Sequence, residues 1–169
     1  MANPPRSPNP AKAAWYFAGL QELLLHMDTL AAMALALIVL LALVLLPRWD
    51  RNLQGFGEYF RSRTGRRAAL LGLVLSVDLV PLMVVADEFW INLPALLAGW
   101  PTLISTGLVP LLLTLAGLAA IYGLVRGALK ASHSEALVGL FSFVTVSLVV
   151  LTVVGVLFRG PNMALVLPW

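Results

Sequence analysis

The sequence predicts an all-α membrane protein of four transmembrane helices, with both termini on the external (periplasmic) side. Three observations lead there. Of 169 residues, 60% are hydrophobic and 11% charged, where a soluble domain carries about 25% charged residues. Four uncharged or nearly uncharged runs, 29–46, 68–86, 103–125 and 136–158, have the length of a membrane span. A helix rising about 1.5 Å per residue needs roughly 17–25 apolar residues to cross the hydrocarbon core. Lys and Arg gather in alternate connections. The connection 47–67 holds six Arg against Asp50 and Glu58, and 126–135 holds Arg126 and Lys130 against Glu135. The connection 87–102 has Asp87 and Glu88 and no base. Basic loops stay in the cytoplasm, which places the connection 87–102 and both termini outside.

Taken in order, residues 1–28 form an external segment with an interfacial helix. The helix of span 1, the shortest, is expected to begin before the span, near Ala14, with Leu20–Leu25 at the interface. The segment does not read as a signal peptide, because its first apolar run starts only near Thr29 and is too long for an h-region. After span 1, Phe56, Tyr59 and Phe60 among Arg residues suggest a short amphipathic helix on the cytoplasmic surface. Arg61–Arg67 is expected to touch lipid headgroups. Span 2 carries Asp78, with Pro81 three residues on. Span 3 carries Pro110 and the small residues Gly107, Gly117, Ala120 and Gly123, which predict close helix packing. Span 4 ends at Gly160-Pro161, and residues 159–169 form an external tail that is expected to dock. The residues Trp15, Tyr16, Trp49, Phe89, Trp90, Trp100, Phe158 and Trp169 fall at span boundaries, as an interfacial aromatic belt does. No internal repeat is visible.

Several chemistries are excluded. The chain has no Cys, so by itself it carries no disulfide, no Cys-ligated iron–sulfur cluster and no thiolate zinc site. It has no nucleotide-binding loop, hydrolase elbow, metal-binding His cluster or nucleic-acid surface. Bis-His haem ligation needs facing pairs of His at one depth. His26 and His133 fall on opposite sides of the membrane, so the chain reads as haem-free.

Three side chains, Glu22, His26 and Asp78, stand out for proton chemistry or polar contact. Trp15, Gly19, Glu22 and His26 share one stripe of a 3.6-residue helix. Glu22 and His26, four residues apart, can share a proton, or can simply form an interfacial ion pair. An Asp at mid-bilayer is costly and should face protein or water. Asp78 is therefore expected in a helix interface or internal cavity. There it serves either as a proton-relay or quinone-facing group, or as a protonated carboxyl hydrogen-bonded to a neighbouring helix, of this chain or of another subunit. Ser105, Thr106 and Thr114 are candidate partners in this chain.

The run Pro8-Asn9-Pro10-Ala11-Lys12-Ala13-Ala14-Trp15-Tyr16-Phe17, leading into Gly19-Leu20-Gln21-Glu22-Leu23-Leu24, resembles the quinol-site loop and following helix of the C-terminal, haem-free half of cytochrome b. Subunit IV of the plastoquinol-oxidising complex is the same half as a separate polypeptide. The family has Asn-Pro, then Pro-Glu-Trp-Tyr, where this chain has Ala13-Ala14-Trp15-Tyr16. The resemblance covers roughly 8–90 and is strongest over 8–30. Span 4 goes beyond subunit IV. The resemblance implies a quinone bound at Trp15 and Tyr16, shared with a haem-bearing cytochrome b-like membrane subunit. It also implies periplasmic redox partners (cytochrome c or an iron–sulfur protein) and a place in a bacterial inner membrane. The family's proton-accepting Glu is missing at Ala14, and Glu22 and His26 are the candidates to replace it. Two other readings stand beside this one: a structural membrane anchor of a redox complex without its own quinone site, and a small four-helix transporter protomer. Asp78 and Pro110 suit the second, but the lack of internal repeats disfavours it.

The orientation is testable. A Cys introduced at Thr64, beside the Arg cluster, should react with membrane-permeant thiol reagents and stay unlabelled by impermeant reagents on intact cells. Labelling by the impermeant reagent would reverse the topology.

Overall fold

The structure, a computed structural model, describes residues 13–49, 62–91 and 93–166, apart from the side chains at 47, 49, 94 and 161. The Asn9-Pro10 part of the loop motif, the amphipathic segment with Phe56, Tyr59 and Phe60, and Trp169 lie outside the described residues, as does the Trp49 side chain. A 3-10 turn Trp15–Phe17 leads into α1 (Ala18–His26), then α2 (Thr29–Trp49) and α3 (Arg63–Phe89). After the short α4 (Leu93–Leu96), a π-helical segment Leu103–Leu108 continues into α5 (Val109–Leu129). Helix α6 (His133–Val153) ends in a π-helical turn Val154–Phe158, followed by a 3-10 turn Pro161–Met163. No strand occurs among the described residues. Four helical segments are long and apolar enough to cross a membrane: Thr29–Leu46, Arg63–Phe89, Leu103–Leu129 and His133–Phe158. They contain all four expected spans, and the chain is a multi-pass membrane protein.

The two ends of the bundle differ in charge. One carries Glu22, Asp28, Asp87 and Glu88, and both described chain ends meet there. The other carries Arg63, Arg66, Arg67, Arg126 and Lys130. They are called here the acidic and basic ends.

The first helix departs from the sequence reading. It does not run unbroken from Ala14 into the span but breaks at Met27, which is extended (φ −152°, ψ 159°). Asp28 causes the break by acting as a cap: its carboxylate accepts from the Leu30 N–H at 2.9 Å, starting α2 afresh. The corner is held by a second bond. Pro110 has no N–H to give the Thr106 carbonyl its usual helical bond, and that carbonyl accepts the backbone N–H of Asp28 at 2.8 Å. Gly107 packs against the corner at a spacing that a Cβ would fill at ordinary contact distance, 3.7 Å from Asp28 Cβ and 3.9 Å from Ala31 Cβ. Met27, Ala31, Ala32 and Leu35 then pack with Leu111 and Leu115 of α5.

Helices α3 and α6 form the axis of the bundle. A Cβ on Gly72 would stand 2.1 Å from the Gly139 carbonyl oxygen, and one on Gly139 would stand 3.0 Å from that of Ala68. The backbones touch because neither position has a side chain. One turn on, Ser76 Oγ donates to Ser147 Oγ at 3.0 Å, while Ser147 donates to the Phe143 carbonyl. At the basic end Ser62 caps α3 and donates to Glu135 at 2.6 Å. Glu135 in turn closes the capping box of α6 with Ser132. Ala68, Val125, Ile121 and Ala136 fill the space where α5 joins this pair. The small residues expected to mediate packing in span 3 do so only at Gly107. Gly117 and Gly123 face open space, because α5 turns that stripe away from its neighbours.

The packing makes a sharp contrast between two glycines. Gly72→Ala should lower the unfolding midpoint in detergent, costing about 1–3 kcal/mol or more, because the obstacle is backbone that must move. Gly117→Ala should leave stability unchanged or raise it by up to about 1 kcal/mol. Equal midpoints for the two variants would refute the α3–α6 contact.

Candidate functional site

Glu22 and His26 lie one turn apart on α1 and point along a stripe toward α6 and α3. Two glycines let α1 settle there. A Cβ on Gly19 would lie 2.6 Å from Thr152 Oγ1, and one on Gly155 would lie 2.9 Å from the Ala18 carbonyl oxygen. The approach brings Glu22 against Arg159, the first residue after the π-helical turn of α6. Arg159 Nε lies 3.0 Å from both Glu22 oxygens, and Nη2 also donates to Oε1. Arg159 Nη1 donates to Glu88 Oε2 of α3 and to the Met163 carbonyl, both at 2.8 Å. Asn162 and Met163 take positive φ (60° and 58°), and this tight turn aims the Met163 carbonyl back at the guanidinium. Glu22 is 0% exposed and Arg159 2%. A planar guanidinium with five donors can satisfy two carboxylates and a carbonyl at once. No buried side-chain nitrogen or oxygen lacks a partner among the described residues.

His26 extends the network. Its Nε2 stands 3.3 Å from Glu22 Oε1 and its Nδ1 stands 2.6 Å from Asp87 Oδ2. Only the imidazolium can donate from both nitrogens to two carboxylates. Burial pushes the His26 pKa down, but the bonds to Glu22 and Asp87 outweigh it and raise it above its ordinary value. Burial likewise pushes Glu22 up, and the bonds from His26 and Arg159 outweigh it and hold the carboxyl below its ordinary value. The result is a line of alternating charge: Asp87, His26, Glu22, Arg159, Glu88.

Beside this line opens a pocket of about 530 Å³. It lies between the α1–α2 corner, the end of α3 and the π-helical segment, and its lining includes His26, Asp28, Asp87, Phe89, Trp90 and Thr106. Apolar rings and ionisable groups therefore face one space. The described residues form no group of three or more His, Asp or Glu side chains suited to a metal ion.

The five residues singled out from the sequence separate. His26 alone lines the pocket. Glu22 does not reach it, because one turn earlier on the same stripe it is covered by Arg159. Trp15 and Tyr16 are 71% and 62% exposed. They stack edge-on at 5.7 Å, with Phe17 against Tyr16 at 4.9 Å, and lie off the pocket lining. Asp78 turns into no interface or cavity formed by the described residues of this chain, which leaves open an interface with another subunit. It is exposed on α3 and has no hydrogen-bond or ion-pair partner among the described residues. Its proposed partners are committed elsewhere: Ser105 and Thr106 donate to the Thr102 carbonyl and Thr114 to that of Pro110. An ionised carboxylate facing lipid at mid-bilayer costs about 2.5–3.5 kcal/mol or more. His26 and His133 stand at opposite ends of the bundle, the latter bonded to Tyr122 at 2.7 Å.

Arg159, Asp87 and Glu88 escaped the sequence reading. Their signal was charge balance: Arg159 follows an apolar span and is the one Lys or Arg among the described residues at an end that carries four acids.

No family model matches the chain, and neither a curated protein nor a solved structure matches it.

Two outcomes follow from the network. Arg159→Met should destabilise the protein by about 3–5 kcal/mol, since it leaves Glu22 buried without its guanidinium and held only by the longer His26 contact, and adding Glu22→Met should recover most of the loss. A double variant as unstable as the single would show that the pair does not act as a unit. The pH dependence has a defined sign. His26, with its raised pKa, contributes stability that is complete below about 6.5 and fades as pH rises through the raised value. Glu22 contributes stability above about 4.5 that fades as pH falls through its lowered value. Thermal unfolding should therefore show an alkaline decline that His26→Gln flattens.

Proposed function

We propose that this chain is a haem-free, quinone-associated membrane subunit of a multi-subunit respiratory or photosynthetic electron-transfer complex in a bacterial inner membrane. It would sit beside a haem-bearing cytochrome b-like subunit and periplasmic redox subunits (cytochrome c or an iron–sulfur protein). The resemblance of Trp15-Tyr16-Phe17 and the helix after it to the quinol loop motivates the reading. The observation that carries it is the pocket at the acidic end, where the His26–Asp87 pair meets the rings of Phe89 and Trp90.

The donor set fits a quinone: apolar walls for the ring and tail, and titratable groups for the oxygens. Bound quinol carries two electrons and two protons. The chain's own part is to hold and move a proton. Asp87 lines the pocket and its carboxylate is partly exposed, so it can accept a hydrogen bond there. The 2.6 Å contact to His26 Nδ1 lets the imidazolium pass its Nδ1 proton to the partly exposed Asp87 carboxylate and on to water, after which the neutral ring can take up another, and its raised pKa favours that uptake. Glu22, locked to Arg159, keeps the imidazole oriented and does not take the missing family Glu's role at the pocket. Trp15 and Tyr16 become a lipid-facing anchor on this geometry.

The anchor reading has one observation of its own. The Glu22–Arg159–Glu88 cluster is fully paired, as a structural staple is. A single experiment separates the two readings. In the assembled complex, His26→Gln and Asp87→Asn should each lower quinol-dependent reduction of the partner haem by about 100-fold or more, with subunit composition and haem content unchanged. Undiminished turnover in both variants leaves the anchor.

A further inference from the structure

Asp78 lies near the middle of α3, on a stripe with Val74 and Leu82 one turn to either side and Val77 beside it, all exposed. The same stretch has a carbonyl without its usual helical donor, for Pro81 has no N–H to offer the Val77 carbonyl. A carboxylate and a carbonyl deprived of its helical donor thus share a surface where the hydrocarbon supplies neither water nor donors. No side chain among the described residues bonds to Asp78. Arg67, eleven residues earlier on α3, is about 16 Å away along the helix at roughly 1.5 Å per residue. No Lys, Arg or His occurs in 29–47, 68–125 or 136–158. A second copy in the same orientation would bring its own Asp78 to the same depth, carboxylate against carboxylate. Lipid headgroups with donors lie at the interface, not at this depth.

We infer that this face of α3 docks against a transmembrane helix of a different polypeptide, and that the helix presents a Lys or Arg side chain to Asp78. Charge complementarity names the occupant: a site with only acceptors needs a group with only donors, and Lys and Arg are the side chains of that kind with a full charge. Val74, Val77 and Leu82 then make the dry rim that keeps the pair from lipid and water. The inference is independent of the quinone pocket, which lies at the acidic end, and either can fail without the other.

The test uses the full chain in native membranes, with a photo-crosslinking amino acid at Val74 or Leu82. The expected product joins this chain to one other polypeptide, through a helix with Lys or Arg inside its apolar stretch. Asp78→Leu and Asp78→Lys should each cut the yield by about tenfold or more. Asp78→Lys combined with an Asp at the partner's basic position should restore it. The purified Asp78→Leu chain should unfold at the wild-type midpoint, since Asp78 has no bond among the described residues. Crosslinks only to lipid or to a second copy, a partner helix without a basic residue, a yield indifferent to Asp78→Leu, or failure of the charge swap would each overturn the inference.

Discussion

The guanidinium of Arg159 is buried among three elements and is the contact on which the acidic end depends. It binds Glu22 of α1, Glu88 of α3 and the Met163 carbonyl of the tail. A lone buried charge there would be untenable, so each partner also holds the others in place. Glu22 in turn bonds His26, and His26 bonds Asp87. The pocket wall is therefore set by a chain of ionic contacts that starts on the far side of α1. An apolar replacement of the pair could match its stability, but it would lose the orientation of His26.

The prolines act as connectors here. Pro110 removes one donor, and the freed Thr106 carbonyl becomes the anchor for the Asp28 corner. This bond seats the start of α2 on the π-helical segment and so closes one side of the pocket. Pro81 removes a donor in the same way on α3, but among the described residues no other element donates to the Val77 carbonyl. One proline is satisfied internally. The other marks a surface that faces outward, together with Asp78. The α3–α6 axis is rigid by contrast: Gly72 and Gly139 bring backbone against backbone, with Ser62–Glu135 at the basic end and Arg159–Glu88 at the acidic end of the same pair.

Apolar run length was legible in the sequence because crossing a membrane is a property of a single helix and needs no neighbour. All four spans could be read in this way. His26 and Glu22 could be paired because i and i+4 meet on any helix. The break at Met27 was also local in cause, through Asp28 as a cap, though the long apolar context masked it. Arg159 could not be matched to Glu22 from sequence, because 137 residues separate them and only the seating of α1 on Gly155 brings them together. The same seating turned Glu22 away from the pocket and left Trp15 and Tyr16 outside it. Asp78 shows the limit most directly. The cost of its charge was plain in the sequence, but the direction it faces depends on which side of α3 the Gly72–Gly139 contact takes, and that contact belongs to two helices at once.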